Sequence, residues 1–488
     1  MAIDDRPPDV SLLPELEPEE KPAEPFTLST EAAVEVAAVE PLVPARPVQP
    51  GERVASVDVM RGVALLGILA MNIVGFAWPF SVYSIPTIDP DAGSLDVALW
   101  AFNHLVFDTK MMTTFSMLFG AGLVLMGDRA EARGAKLRGV YYRRVFWLLV
   151  IGAIHAYLIW DGDILVDYAL CGFVLYPFRK LRPRTLILTG MIFNLLLVPL
   201  LLGVRFVGLP YIERTARRYE EIQRRQERPT WWQHKMHKAW EGISKDKPPT
   251  REDLLRAVVR HRVGYFEMVK HRAQELIWAQ TLGFVFGIWW MVGGRMLVGM
   301  GLMKLGVFSA ACSRSTYLRM MILGYGIGLP LMAFDCWHEI SNNFFLSQRL
   351  QHALAGWPLL SLYGSIPVVF GHIGAVMLIC QSGAILWLTR RLAAVGRMAL
   401  SNYLFDSIVC TSIFYGYGLD YFGAIHRPML YLIVLTIWTA QLLISPLWLE
   451  VFRYGPAEWL WRSLTYWKLQ PIWASVRTEA AEPVAAPV

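Results

Sequence analysis

Charged residues are scarce in this chain of 488 residues: Asp, Glu, Lys and Arg make up 18% of it, against 55% hydrophobic residues. Soluble globular chains carry about 25% charged and about 45–50% apolar residues. This composition disfavours a cytoplasmic enzyme of ordinary solubility, and a polytopic membrane protein is the expected class. Cysteine is scarce too. Cys171, Cys312, Cys336, Cys380 and Cys410 stand singly in apolar stretches, so neither a disulfide framework nor a structural zinc site is expected. They read as small core residues. The chain also lacks a P-loop, a dinucleotide fingerprint, G-x-S-x-G and H-E-x-x-H. Its net charge of +6, with no basic run interleaved with aromatics, argues against nucleic acid as a partner. What it has instead is 19 Trp, 19 Tyr and 24 Phe, rings that collect at membrane interfaces.

Residues 1–50 form a different material, with eleven acids against three bases (Arg6, Lys21, Arg46) and only Phe26 as an aromatic. Such a segment cannot bury enough apolar surface to offset its ordering entropy and is expected to be a disordered tail. It lacks the basic start and apolar core of a cleaved signal. A span needs about 20 mostly apolar residues, and candidates fall at 57–78, 97–127, 145–160, 164–178, 185–208, 276–303, 317–336, 359–389, 398–417 and 428–449. The expected fold is an all-α polytopic bundle of about ten transmembrane helices. It divides into an N-terminal half (51–208), a helical insert (209–275), a C-terminal half (276–470) and a disordered tail (471–488). The third and fourth spans are short, and the brief Trp160-Asp161-Gly162-Asp163 link predicts a tight hairpin.

Lys and Arg crowd the loops 128–144, 179–184 and 390–397 and the C-terminal segment, whereas 79–96, 161–163, 337–358 and 418–427 hold only Arg349 and Arg427. The positive-inside rule then places both termini in the cytoplasm and faces the 161–163 turn and the insert outward. In the insert His234 and His237 have half a metal site by spacing, but no third ligand, and no metal is expected.

Ionisable groups within spans usually line a cavity or a pathway. Asp58 and Arg61, three apart, share a helix face and are expected to pair, with contact between Arg61 and an anionic ligand as the alternative. Asn72 follows Arg61 by eleven residues, roughly 16 Å deeper at the helical rise, and His155 reaches a similar depth. One to two turns above His155 stand Asp161 and Asp163, the parts of a general base and its orienter; a core histidine bonded to a neighbouring helix is the plainer alternative. Lys110, nearer the outer end, is placed to meet Asp161 or Asp163. Arg295, among glycines, lies about three turns inside the cytoplasmic end. His372, Asn402 and Asp406 complete the intramembrane polar set, while His104, Asp108 and His338 lie near the outer interface, where simple solvation accounts for them.

Arg53-x-x-Ser56-x-Asp58-x-x-Arg61-Gly62, Phe115-Ser116-Met117-Leu118-Phe119-Gly120-Ala121-Gly122, and His155 followed by Trp160-Asp161-Gly162-Asp163-Ile164-Leu165 resemble the bacterial YeiB-like membrane proteins. So do Gly396-Arg397-Met398-Ala399-Leu400-Ser401-Asn402-Tyr403-Leu404 and Gly455-Pro456-Ala457-Glu458-Trp459-Leu460-Trp461-Arg462-Ser463-Leu464-Thr465, which are similar to the C-terminal domain of unknown function 418. That family resembles a branch of the transmembrane acyltransferase superfamily, which includes heparan-alpha-glucosaminide N-acetyltransferase. The resemblance implies a bacterial inner-membrane protein moving an acyl group from cytoplasmic acyl-CoA to an acceptor on the far side. Asn72 stands where that enzyme has a functional Asn. Tyr83 stands where it has a functional His, so either His155 supplies the base from another helix or the chemistry is altered.

On this reading acetyl-CoA or another acyl-CoA is a co-substrate, no cofactor is held tightly, and Arg61, Arg295, Arg143 and Arg144 meet its phosphates. Asn72 stabilises the oxyanion, and His155 with Asp161 or Asp163 deprotonates a hydroxyl or amine. Lys110, Tyr83 and His372 bind substrate, and Asp58 and Asn402 are structural. The expected partners are membrane lipids, a sugar, lipid or small-molecule acceptor, and a second copy of the chain packed through glycine faces. The alternative is a transporter or exporter of a lipid or small metabolite using the same polar cavity.

Overall fold

The computed structural model describes residues 53–89, 91–244, 250–344 and 358–474, and these are all-α, with no strand among them. The 1–50 segment and residues 475–488 lie outside the described residues. In chain order the longer α-helices are α1 (Ala55–Ala77), α2 (Ser94–Val106), α3 (Lys110–Glu131), α4 (Arg138–Ile154), α5 (Leu165–Leu175) and α6 (Pro183–Gly203). The insert holds α7 (Leu209–Arg224), α8 (Trp231–Ser244), α9 (Arg251–His261) and α10 (Tyr265–Trp278). Then come α11 (Gly294–Lys304), α12 (Arg314–Ser341), α13 (Pro358–Ser382), α14 (Leu386–Arg397), α15 (Ala399–Phe414), α16 (Arg427–Val451) and α17 (Pro456–Tyr466).

Among the described residues seven stretches are long and apolar enough to cross a membrane: Ala55–Ala77, Ser94–Glu131, Arg138–Ile159, Pro183–Leu200, Arg314–Ser341, Tyr363–Ser382 and Arg427–Val451. The protein is thus an all-α polytopic membrane protein. Three expected spans are built from shorter pieces. The 164–178 stretch is α5 plus a 3-10 turn at Tyr176–Lys180, and 398–417 is the 16-residue α15. The 276–303 stretch is a wide π-helical run, Ala279–Gly293, that narrows into α11. The expected 359–389 span divides, because Gly383 takes φ +66° and turns the chain out of α13, a conformation that L side chains resist.

Sequence chemistry sets these ends. Helix α1 carries Asp58 in its first turn, where a carboxylate suits the helix dipole. It stops at Trp78, which is extended (φ −141°, ψ 156°) because Pro79 follows. Close packing depends on glycine at two crossings. Helix α14 runs antiparallel along the first turns of α1, with Gly62 against the Leu392 carbonyl and Gly396 against that of Asp58. Helix α11 meets α3 through Gly299 on the Met117 backbone and Gly120 on that of Met296. No Cβ fits at any of the four.

The α4–α5 hairpin closes as its short link predicts, with Trp160 folded onto Phe76 (ring centroids 3.9 Å). At the other end of the bundle α17 lies across the helix ends. Trp461 Nε1 donates to the Arg144 carbonyl (2.8 Å), Arg143 Nε donates to that of Thr465 (2.9 Å), and Glu458 accepts from Leu400 N (2.6 Å), Ser401 N (3.2 Å) and Ser401 Oγ (2.5 Å). The glutamate thereby satisfies the free donors at the start of α15. The five cysteines are free thiols.

Candidate functional site

The end of the bundle that carries α17 is its basic end. A cavity of about 230 Å³ opens there between α1, α3, α4, α5, α15 and α17. Six arginines from six different segments converge on it: Arg53, Arg61, Arg129, Arg144, Arg397 and Arg462. Asp58 and Glu458 are the carboxylates in the same wall. Asp58 accepts from Arg61 Nη1 at 3.0 Å and faces Arg53 Nη1 at 3.6 Å, so the expected Asp58–Arg61 pair forms and is part of the cavity wall. Arg144 lies on the Trp461 ring at 3.8 Å and Arg462 over Tyr454 at 4.7 Å. Burial presses the Arg462 guanidinium below its ordinary range and pushes the Glu458 carboxyl above its own.

One to two turns further along α1 and α4 the wall is apolar, with Leu65, Ile68 and Leu148 joined by Leu165, and Tyr168 and Tyr403 complete it. The Tyr403 ring neighbours His155, ring centroids 5.0 Å apart and planes at 46°. His155 opens a single π-helical turn, His155–Ile159, at the end of α4, a feature frequent at functional sites. Its Nδ1 sits 2.7 Å from Asp163 Oδ1, with 1% and 0% of the two side chains exposed. Asp163 Oδ2 accepts from Val166 N at 2.9 Å, at the start of α5. Asp163 is thus placed to accept a hydrogen bond from Nδ1–H, the arrangement in which Nε2 carries the lone pair. Nε2 is buried and makes no hydrogen bond.

Of the residues singled out from sequence, the structure brings Arg61, Arg144 and Asp58 into the cavity wall and joins His155 to Asp163 rather than to Asp161. Asn72 does not line the cavity. Arg143 is also outside it, occupied with the Thr465 carbonyl. Arg295 is 2% exposed, near Tyr168 and Tyr363, and none of its guanidinium nitrogens makes a hydrogen bond. Asn402 ties α15 to α16 through Ser445 Oγ (3.2 Å), as Asp406 does by accepting from Gln441 Nε2 (2.6 Å).

Lys110, Tyr83 and His372 belong to a second polar centre, away from the basic end. Lys110 does not meet Asp161 or Asp163. It is fully buried beside Asp108 and Asp335, with its ammonium donating to the His104 carbonyl. His104 is not solvated: its two ring nitrogens lie 3.2 Å from Asp108 Oδ2 and 2.9 Å from Asp335 Oδ2. Tyr83 donates to Asp108 Oδ1 at 2.7 Å. Burial, then that carboxylate, drives its phenol well above its ordinary range. His372 bridges Tyr325 and the Val106 carbonyl. Sequence reasoning missed Tyr168, Tyr403, Glu458 and Asp335 as site residues. It counted Arg129, Arg397 and Arg462 only as loop charges. The available signal for Asp335 was its place as the one carboxylate within the apolar stretch 317–336.

The family model described as "Protein of unknown function (DUF418)" matches residues 302–468, the segment that supplies Arg397, Tyr403, Glu458 and Arg462. Relatives align over nearly their whole length. The chain is 30% identical over 442 residues to "Uncharacterized protein YxaH" of Bacillus subtilis (strain 168), covering 88% of this chain and 98% of that protein. It is 32% identical over 422 residues to "Uncharacterized protein YeiB" of Escherichia coli (strain K12), covering 85% and 96%. No solved structure matches it. On these relatives, the chain belongs to the YeiB-like DUF418 family of membrane proteins.

Proposed function

We propose that this protein is a transmembrane acyltransferase of the bacterial inner membrane, taking an acyl group from cytoplasmic acyl-CoA and passing it to a hydroxyl or amine on the opposite side. The observation that carries this reading is an alignment: an arginine-lined cavity at the basic end narrows through apolar wall to Tyr403, directly against a buried His155–Asp163 pair. The positive-inside rule assigns the basic end, and with it both termini, to the cytoplasm.

The cavity wall suits a polyphosphate. Six arginines against Asp58 and Glu458 leave a formal excess of four positive charges (6 − 2). Guanidinium groups stacked on Trp461 and Tyr454 keep their planar edges available for bidentate phosphate bonds. The apolar stretch beyond suits a pantetheine arm, and Asp163 at Nδ1 leaves His155 Nε2 for the part of a general base.

A second reading, a carrier for a lipid or small metabolite, is favoured by one feature. The His104–Asp108–Asp335–Lys110 centre is a buried titratable network in the membrane-spanning part, of the kind that marks substrate and proton pathways.

Acetyl-CoA added to detergent-purified full-length protein is the test. The acyltransferase reading expects a rise in melting temperature and slow release of free CoA thiol, accelerated by a hydroxyl or amine acceptor. No binding at millimolar acetyl-CoA rejects it.

A further inference from the structure

We propose that Tyr403 is a catalytic residue of the transfer step, its hydroxyl donating the hydrogen bond that stabilises negative charge on the reacting acyl carbonyl oxygen. The role rests on the acyl-transfer reading above. An oxyanion formed in a water-poor site needs a donor already in place. Asn72, the amide that the family resemblance offers for this, is not in the cavity.

The cavity wall holds three buried tyrosines, and two are engaged. Tyr141 donates to the Gly172 carbonyl at 2.7 Å. Tyr168 lies 3.1 Å from the Met112 carbonyl and 2.8 Å from Ser116 Oγ. The hydroxyl of Tyr403 has the Ile164 N–H against its oxygen but finds no acceptor for its own proton, although the residue is only 6% exposed. A buried phenol normally has a partner. Its neighbour His155 carries the complementary vacancy, an unpartnered Nε2. An unspent donor and an unpartnered nitrogen thus sit on two neighbouring rings, 5.0 Å apart between centroids, one of which lines the cavity.

The backbone beneath Tyr403 is fixed on its N-terminal side. Ser401 is held by Glu458, and Asn402 by the Val395 carbonyl at 3.3 Å and by Ser445. Helix α15 therefore presents the phenol without rearrangement.

In the transfer step the acceptor oxygen or nitrogen attacks the thioester carbon, and its proton passes to His155 Nε2. The carbonyl π pair moves onto oxygen, which receives the hydrogen bond from Tyr403. When that pair returns, the C–S bond breaks, and the departing thiolate takes the proton from Nε2 to leave as CoA thiol. Asp163 holds the imidazolium throughout, and Tyr403 keeps its own proton.

Tyr403→Phe in the full-length protein removes the hydroxyl and keeps the ring against His155. Acetyl-CoA affinity by calorimetry, thiol release and its pH profile are measured together. The expected result is a kcat lower by about 10²–10³-fold, the cost of losing one oxyanion donor, with acetyl-CoA affinity and the shape of the pH profile preserved. His155→Gln is expected to abolish transfer with binding intact. Wild-type kcat in Tyr403→Phe overturns the role, and so does a fall in affinity that matches the fall in rate, which would mark a packing residue. A wild-type protein that binds no acetyl-CoA overturns the acyl-transfer reading and the role with it.

Discussion

His155 Nδ1 and Asp163 Oδ1 stand 2.7 Å apart across a single helical hairpin, both side chains all but free of solvent. The pair exists because α4 relaxes into one π turn at His155 and the link to α5 is too short to carry Asp163 away. Asp163 also holds the Val166 N–H, so the carboxylate sets the imidazole tautomer and the start of α5 at once.

Asp163→Asn keeps the shape but offers the imidazole an amide instead of a carboxylate. Thiol release should fall by about 10⁴-fold, the scale seen when a triad aspartate becomes an amide, with acetyl-CoA affinity unchanged. Asp163→Ala should in addition cost about 1–3 kcal/mol of stability for each buried N–H left unpaired, read as a lower melting temperature. Wild-type rates in Asp163→Asn would remove the pair from the chemistry.

Gly396→Ala should separate α14 from α1. A methyl there meets the Asp58 carbonyl directly, and backbone cannot move aside as a flexible side chain can. Overpacking of this kind costs about 1–3 kcal/mol or more. Because Asp58 also binds Arg61, the shift should loosen the cavity wall and weaken acetyl-CoA binding as well. Gly139→Ala, at a helical position with nothing within 4 Å, is the control and should be neutral or slightly stabilising. Equal melting temperatures for the two variants would contradict the packing argument.

The Glu458 carboxyl has a folded-state pKa raised by burial above its ordinary 4.5. A raised carboxyl stabilises the fold fully below its unfolded value and loses that contribution as pH rises through its folded value. Melting temperatures of wild type relative to Glu458→Gln should therefore decline from about pH 4.5 upward and level off once the buried group has ionised. A difference that is flat over that window would show that Glu458 does not titrate with folding.

The fold was legible where length and hydropathy alone decide it, as in α1, α12 and α16, each an apolar run of membrane-spanning length. The His155–Asp163 pair was legible because both residues flank one short turn. Convergence was not. Arg129, Arg397 and Arg462 read as ordinary positive-inside charges, because a charge that orients a loop and a charge that binds a phosphate look alike in one dimension. Their meeting depends on α14 doubling back along α1 and on α17 lying across the helix ends, contacts made by glycines and by Trp461 far apart in sequence. Asn72 went astray for a related reason: its depth follows from the helical rise, but which neighbour its face meets does not.

The two polar centres should respond separately. Arg144→Gln removes a cavity guanidinium held on Trp461. It should weaken acetyl-CoA binding by about ten- to a hundred-fold, the worth of charge-assisted phosphate bonds, with a shallower dependence on salt than wild type. Asp335→Asn replaces one of the two carboxylates that face His104 and leaves Lys110 less well balanced, so the melting temperature should drop by the equivalent of about 1–3 kcal/mol. Because this centre contributes no residue to the cavity wall, acetyl-CoA affinity should stay at the wild-type value. If Asp335→Asn weakens acetyl-CoA as strongly as Arg144→Gln does, the two centres act as one continuous path, and the carrier reading gains over acyl transfer.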